Sequence, residues 1–299
     1  MPEAVVPDVR AALPFASIAG RALELVKVAH AGANSARGFA GIPTGLPLLD
    51  KTLGGLQTGL HILGAEPGAG KTALALNIAR HAATQHQIPV VYVSFDEVPE
   101  RLALKVLAAR TGMGMSDMAG GLVQPERVEA AMLEHGPALQ CLSFMQGDAH
   151  LGVPDLLAQL RQRLELHKQT EGLIVIDYLQ PWAAAHAAGF KGDFRLAVGA
   201  LALAVRKLAN ESGCPVLLIS AQSRQGQGST NMTSLRESSD LEYGADSIML
   251  LTNGEGMVGP GRNPRTLTLA KNRFGPAGVQ ISLVLDGRTQ VMSEAVGLR

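Results

Sequence analysis

The chain predicts an α/β fold, with a mostly parallel central sheet covered by helices on both faces. Two observations carry this. Four short, almost wholly apolar runs, Leu60–Leu63, Val90–Val93, Leu173–Ile176 and Val216–Ser220, alternate with stretches of helical composition. Strands that are apolar along their whole length are buried on both faces, as in parallel sheets held between two helical layers. The second observation is a glycine-rich turn, Ala65 to Thr72, which reads A-E-P-G-A-G-K-T. It stands between the first apolar run and a helix start at Ala73 to Ala79. Sheets of this kind bind ligands at the carboxyl ends of their strands.

The elements follow in order. Residues 1–12 carry Pro2 and Pro7 and read as a loose arm. Ser17 to His30 has the apolar spacing of a helix, and 31–41 is a small-residue linker. Pro47 starts a short helix that Gly54 and Gly55 end. Thr72 to Ala83 is helical. The strand Val90–Val93 runs into Ser94-Phe95-Asp96-Glu97, and Pro99 opens a helix to Arg110. Residues 112–121 form a Met- and Gly-rich loop. A helix spans Pro125 to His135, a strand Leu139 to Phe144, and a long amphipathic helix Val153 to Thr170. The strand Leu173–Ile176 ends at Asp177. Asp193 to Ser212 is helical, Val216–Ser220 is a strand, and 223–234 is a polar, mobile loop. Three strands close the chain: Ile248–Leu251, Leu267–Ala270 and Val279–Leu285.

Bulk properties narrow the function. The 299 residues suit one large domain with extensions: residues 1–41 as arm, linker helix and linker, and 42–299 as the main domain. Hydrophobic content of 46% with 17% charged residues is globular. Formal net charge is zero, so any polyanion site must be a local patch. Cys141 and Cys214 fit no metal spacing and read as reduced thiols, and no apolar run approaches the ~18 residues of a membrane helix. The expected location is cytoplasmic, without membrane attachment. The histidines show no ligand pairing. Met113, Met115 and Met118 suit adaptable core packing. Trp182 either anchors the core or stacks on a base.

The turn has the chemistry of a phosphate-binding loop. Gly68 and Gly70 permit backbone angles closed to other residues. Successive N–H groups, with the positive end of the following helix, then face an anion. Glu66, Pro67, Gly68, Ala69, Gly70, Lys71 and Thr72 are therefore the candidate nucleotide-binding residues. Lys71 suits the β/γ-phosphates, and the Thr72 hydroxyl suits Mg²⁺. Asp177, at the end of an aliphatic strand, is the expected second Mg²⁺ partner. Asp96 or Glu97 could orient the attacking water, or cap the helix that starts at Pro99.

Together these blocks resemble the ATPase domain of DnaB-type replicative helicases, a RecA-like P-loop NTPase fold. The resemblance runs from about Ile42 to Leu285. It is carried by Ile42-Pro43-Thr44-Gly45 with Gly54-Gly55-Leu56-Gln57, the loop AEPGAGKT, Asp177-Tyr178-Leu179-Gln180, Leu235-Arg236-Glu237-Ser238, Ala245-Asp246 and Ala270-Lys271-Asn272-Arg273. Ser94-Phe95-Asp96-Glu97 before Pro99 is closer to KaiC-like ATPases, and Lys271 to Gly275 is similar to bacterial RadA. The resemblance implies ATP and Mg²⁺ as cofactors. It implies a ring-forming, hexameric motor on single-stranded DNA. The family's base glutamate falls at Asp96, next to Glu97. Its finger into the next subunit's site falls at Lys271 and Arg273. Its DNA loop falls at Arg236, Glu237 and Ser239, with serine at 239 where the family has glycine. Lys191 and Arg195 add positive charge near the same edge. The family's phosphate-sensing glutamine directly follows a serine; here Ala221 separates Ser220 from Gln222. The family's helical collar has no counterpart in residues 1–41, and Ser17–His30 resembles its linker helix. A RadA- or KaiC-like oligomeric ATPase that does not unwind, or a regulatory ATP-binding module, are the alternatives.

Overall fold

The computed structural model describes residues 14–35, 37–222, 238–256 and 258–295. The chain divides into two units, up to Ala40 and from Gly41 onward. The first unit is a helix, α1 (Phe15–Ala33), with Phe15, Leu23, Val26 and Val28 exposed.

The second unit is built on a nine-stranded sheet among the described residues. Its strands are β1 (Gly59–Ala65), β2 (Val90–Ser94), β3 (Leu142–Gln146), β4 (Leu173–Asp177), β5 (Pro215–Ala221), β6 (Ser247–Asn253), β7 (Arg262–Asn272), β8 (Val279–Asp286) and β9 (Val291–Glu294). The spatial order is β3-β2-β4-β5-β1-β6-β7-β8-β9. From β3 to β6 the pairing is parallel, and from β6 to β9 antiparallel. The helices are α2 (Pro47–Leu53), α3 (Lys71–His86), α4 (Pro99–Thr111), α5 (Met115–Ala119), α6 (Pro125–Leu139), α7 (Val153–His167), α8 (Leu179–His186), α9 (Phe194–Ser212) and α10 (Ser238–Gly244).

The period of two explains the apolar runs. In β4, Leu173 and Val175 face the core layer formed with α2, α3 and α4, while Ile174 and Ile176 face the layer formed with α7, α8 and α9. β2, β5 and β6 divide in the same way. Both faces are buried, so a polar group inside these strands is costly unless it is paired. In β8 only alternate residues are buried, Ile281, Leu283 and Leu285, because its outer face meets water. Proline opens α2, α4 and α6 at their first turns, and left-handed glycines close α2 and α4 at Gly54 and Gly112.

Several boundaries differ from the sequence reading. α6 continues through Pro137 to Leu139, so β3 begins at Leu142 rather than Leu139. The loop 112–121 contains α5, and the segment after Asp177 coils into α8. α7 stops at His167, where Lys168 turns left-handed. β9 is a four-residue strand that no apolar run announces. Met113 is buried in a small side cluster against Met118, as core filler. The loop 223–234 lies outside the described residues.

Trp182 is core. It is fully buried, stacks on Phe95 at 5.4 Å, and its indole N–H donates to Leu151 O at 2.9 Å. Trp182→Ala should lower unfolding free energy by about 3–5 kcal/mol. Trp182 is the chain's single tryptophan, so the loss is read by circular dichroism in denaturant.

Candidate nucleotide site

The turn after β1 has the expected geometry. Gly68 and Gly70 adopt φ of 76° and 96°. A Cβ at position 70 would come within 2.9 Å of Leu285 and 3.0 Å of Met292, so packing as well as torsion demands glycine there. Arg265 of β7 grips the outside of the turn: Nε donates to Ala69 O at 2.8 Å and Nη2 to Gly68 O at 3.3 Å. A trans peptide opposes its C=O and N–H, so the Gly70 N–H points away from the Arg265 contact. Glu66 is turned aside. Its carboxylate accepts Asn253 N–H at 3.2 Å and Asn253 Nδ2 at 2.8 Å, which ties the turn to the end of β6.

Lys71 and Thr72 open α3. The Lys71 ammonium lies 4.8 Å above the Tyr178 ring. Asp177 is 2% exposed at the end of β4. Burial raises its carboxyl above the ordinary 3.8; the Thr72 hydroxyl, the Tyr92 hydroxyl and Lys71 oppose that rise. Tyr92 donates to Oδ2 at 2.8 Å, and Oδ1 is buried with no partner.

The two candidate bases part company. Asp96 is exposed. Glu97 is half-buried, and Lys105 of α4 grips its Oε1. Its Oε2 is buried without a partner, and Glu97 is near enough to repel charge on Asp177 and Tyr92. The Ser94 hydroxyl shapes this corner by accepting Glu97 N–H at 2.9 Å. Gln222 is also here. Its N–H donates to Ala65 O at 3.0 Å, and both polar atoms of its buried side chain lack partners.

Thus Asp177 Oδ1, Glu97 Oε2 and both amide atoms of Gln222 are buried, unpaired and gathered at the carboxyl ends of β4, β2 and β5 around one glycine-rich turn. Unpaired buried polar atoms need a reason; Arg80, Arg110, His167, Glu242 and Thr268 each hold one elsewhere, and only here do four share one corner among the described residues. A bound polar ligand is such a reason. Among the described residues no cluster of three metal-ligating side chains exists. That suits Mg²⁺, which keeps several waters and takes phosphate oxygens beside one or two protein groups; Thr72 and Asp177 would hold it. Beyond Arg265 lies a cleft of about 460 Å³ between β7, β8 and the β6–β7 loop, lined by Pro264, Thr266, Leu283 and Val284 among others.

The remaining candidates lie elsewhere. Lys271 and Arg273 sit at the far end of the same sheet, beside the start of β1. β1 has seven residues, so they stand about 20 Å from their own chain's phosphate turn. Lys191, exposed and left-handed, and Arg195, in the first turn of α9, flank the Asp193 cap near the carboxyl ends of the strands. Arg236 and Glu237 lie outside the described residues. Ser239 falls in the first turn of α10, its side chain likewise outside them.

Sequence reasoning passed over Lys105, Arg265, and the partners Tyr92 and Tyr178. Tyr92 carried a signal, since a tyrosine inside a buried strand needs a partner for its hydroxyl. Arg265 carried none: its contact with the turn joins positions 196–197 residues apart.

The DnaB-like helicase C-terminal domain family matches residues 41–293. The replicative DNA helicase DnaB of Geobacillus stearothermophilus is 30% identical over 258 residues, covering 83% of this chain and 56% of that protein. The replicative DNA helicase DnaC of Bacillus subtilis is 30% identical, covering 80% and 54%. The chain therefore spans about half the length of these relatives. In fold it is similar to a solved ATPase domain, with a TM-score of 0.78, 20% identity and coverage of 95% of this chain and 100% of that one. It is also similar to a DnaB-like replicative helicase, solved in a study of its interactions with primase, with a TM-score of 0.75, 20% identity and coverage of 94% and 71%. Among the described residues no helix is long and apolar enough to cross a membrane.

Asp177 gives a stability test. Its folded-state carboxyl is raised above 3.8, so burial of the ionised form weakens the fold as pH rises through that folded value, and has no effect below 3.8. Asp177→Asn keeps an acceptor for Tyr92 and cannot ionise. Without nucleotide it should melt higher than the parent at pH 7, with the gap closing toward pH 4. A lower melting point at pH 7 would contradict this account.

Proposed function

The chain belongs to the DnaB-like helicase C-terminal domain family, and from that premise we propose that it is an ATP-hydrolysing motor that closes into a ring around single-stranded DNA. The observation that carries the nucleotide part is the group of buried, unpaired polar atoms around the glycine-rich turn. They are what a Mg²⁺–triphosphate would satisfy.

The residues then divide the work. Backbone N–H groups of Gly68 to Thr72 cradle the phosphates, and Lys71 reaches the β/γ-phosphates. Thr72 and Asp177 hold Mg²⁺, the latter through water. The ion they would hold supplies positive charge against the phosphates. Glu97 orients the attacking water with its unpaired Oε2 while Lys105 fixes Oε1; the exposure of Asp96 argues against it as the base. Gln222 meets the terminal phosphate, and its position on Ala65 supports this despite the one-residue offset. The cleft beyond Arg265, where Pro264, Leu283 and Val284 supply apolar surface, takes the nucleobase. Lys271 and Arg273 are too far from their own site and complete that of a neighbouring copy, where such a cation is worth about 10³–10⁵ in rate.

DNA contacts fall to Lys191 and Arg195, near the carboxyl ends of β4 and β5, and to Arg236, Glu237 and Ser239. With zero net charge, affinity comes from few phosphate contacts per copy, each contributing about 0.7 to the log–log salt slope. A closed ring multiplies them.

Two measurements check this reading. Glu97→Gln should reduce ATP turnover by about 10²–10⁴-fold with nucleotide binding retained, while Asp96→Asn stays near the parent; the reverse result would assign the base to Asp96. Native mass measurement with an ATP analogue should give a closed oligomer, and a single-stranded oligonucleotide should stimulate hydrolysis at low salt. A ring that hydrolyses ATP without any response to DNA would support a RadA- or KaiC-like ATPase. A monomer that binds ATP without turnover would support a regulatory module.

A further inference from the structure

Asp246 has no part in the chemistry above, yet it is built into the sheet with unusual care. It lies just ahead of β6, and its side chain is 14% exposed. Oδ2 accepts the Leu60 N–H at 2.9 Å, and the Asp246 N–H donates to Leu60 O at 2.8 Å. Leu60 stands at the start of β1, the strand that ends in the phosphate turn. Gly59 makes this approach possible. Its φ is 144°, and a Cβ there would come 2.4 Å from Oδ2.

The other carboxylate oxygen faces outward. Oδ1 accepts from Arg273 Nη1 at 3.0 Å, Arg273 Nη2 donates to Tyr243 O at 3.0 Å, and Arg273 N–H donates to Asp246 O at 2.9 Å. A guanidinium has five N–H groups in a rigid fork. These contacts use one from each arm, and the side chain remains 41% exposed. Arg273 is thus fixed at both terminal nitrogens, with three of its five N–H donors left over. Lys271 beside it is anchored differently, on the Glu242 carbonyl.

We propose that Asp246 is a positioning residue for the shared site. It pre-orients the Arg273 guanidinium toward the phosphate of a neighbouring copy and couples it rigidly to the strand carrying its own phosphate turn. An unrestrained arginine samples many rotamers, and misplacement of a charge-stabilising group by about 1 Å can reduce rate about 10²-fold. The inference rests on the reading of Arg273 as a group acting in the next copy's site.

The test uses mixed rings of full-length chains. A Lys71→Ala chain supplies an intact Arg273, and an Arg273→Ala chain supplies an intact nucleotide site, so the mixture should regain turnover that neither has alone. Asp246→Asn keeps an oxygen for Leu60 and turns an amide N–H₂ toward Arg273. Added to the Lys71→Ala chain, it should lower the regained turnover about 10²-fold with KM for ATP unchanged. Added to the Arg273→Ala chain, which has no guanidinium to orient, it should leave turnover unchanged. Equal loss in both arrangements would overturn the proposal in favour of a structural role for Asp246. Full turnover in both would overturn it outright. Failure of the parental mixture to regain activity would instead overturn the shared-site reading, and the proposal with it.

Discussion

The carboxyl ends of the parallel strands are left electrically incomplete. Asp177, Glu97 and Gln222 are buried there with atoms that no described residue satisfies. Each such atom costs about 1–3 kcal/mol in an otherwise dry interior. Folding tolerates this only because two full hydrophobic layers flank the same strands. The strand apolarity and the site polarity are two aspects of one arrangement.

The same sheet separates the glycine-rich turn from Lys271 and Arg273. The phosphate turn lies at the carboxyl ends of β1 and its neighbours, whereas Lys271 and Arg273 lie at the opposite end. A rigid sheet about seven residues long cannot bring them together within one chain. In the proposed reading a second copy completes the site, and turnover would then depend on assembly. The antiparallel extension serves the near end instead. Through Arg265, β7 grips the outside of the turn, and β8 and β9 pack beneath Gly70 with Leu285 and Met292. The turn is therefore braced from a part of the chain remote in sequence.

Much of this was legible from residue order. Unbroken aliphatic runs located the parallel strands and 3.6-residue spacing the main helices, because burial on both faces forces aliphatic residues throughout a strand but only on one stripe of a helix. Proline and glycine marked helix ends, since their backbone limits are local. The glycine-rich turn announced itself for the same reason. Less legible were α5, α8 and β9, which are short and have weak patterns. Their form depends on the surfaces they cover rather than on their own composition.

The sequence by itself determined the parallel core, the phosphate turn and the carboxylates that end the strands, all features set by local sterics and by which side chains can be buried. It left Asp96 and Glu97 equal, because adjacent residues differ only in the direction they face. Tertiary structure decided between their environments: Lys105 and Ser94 draw Glu97 inward, and Asp96 turns to solvent. It also decided that Gln222 reaches the turn, that Trp182 is core, and that Arg273 is held by Asp246. These are contacts between distant residues. Their energies depend on where the sheet brings the chain together, and no local pattern encodes that.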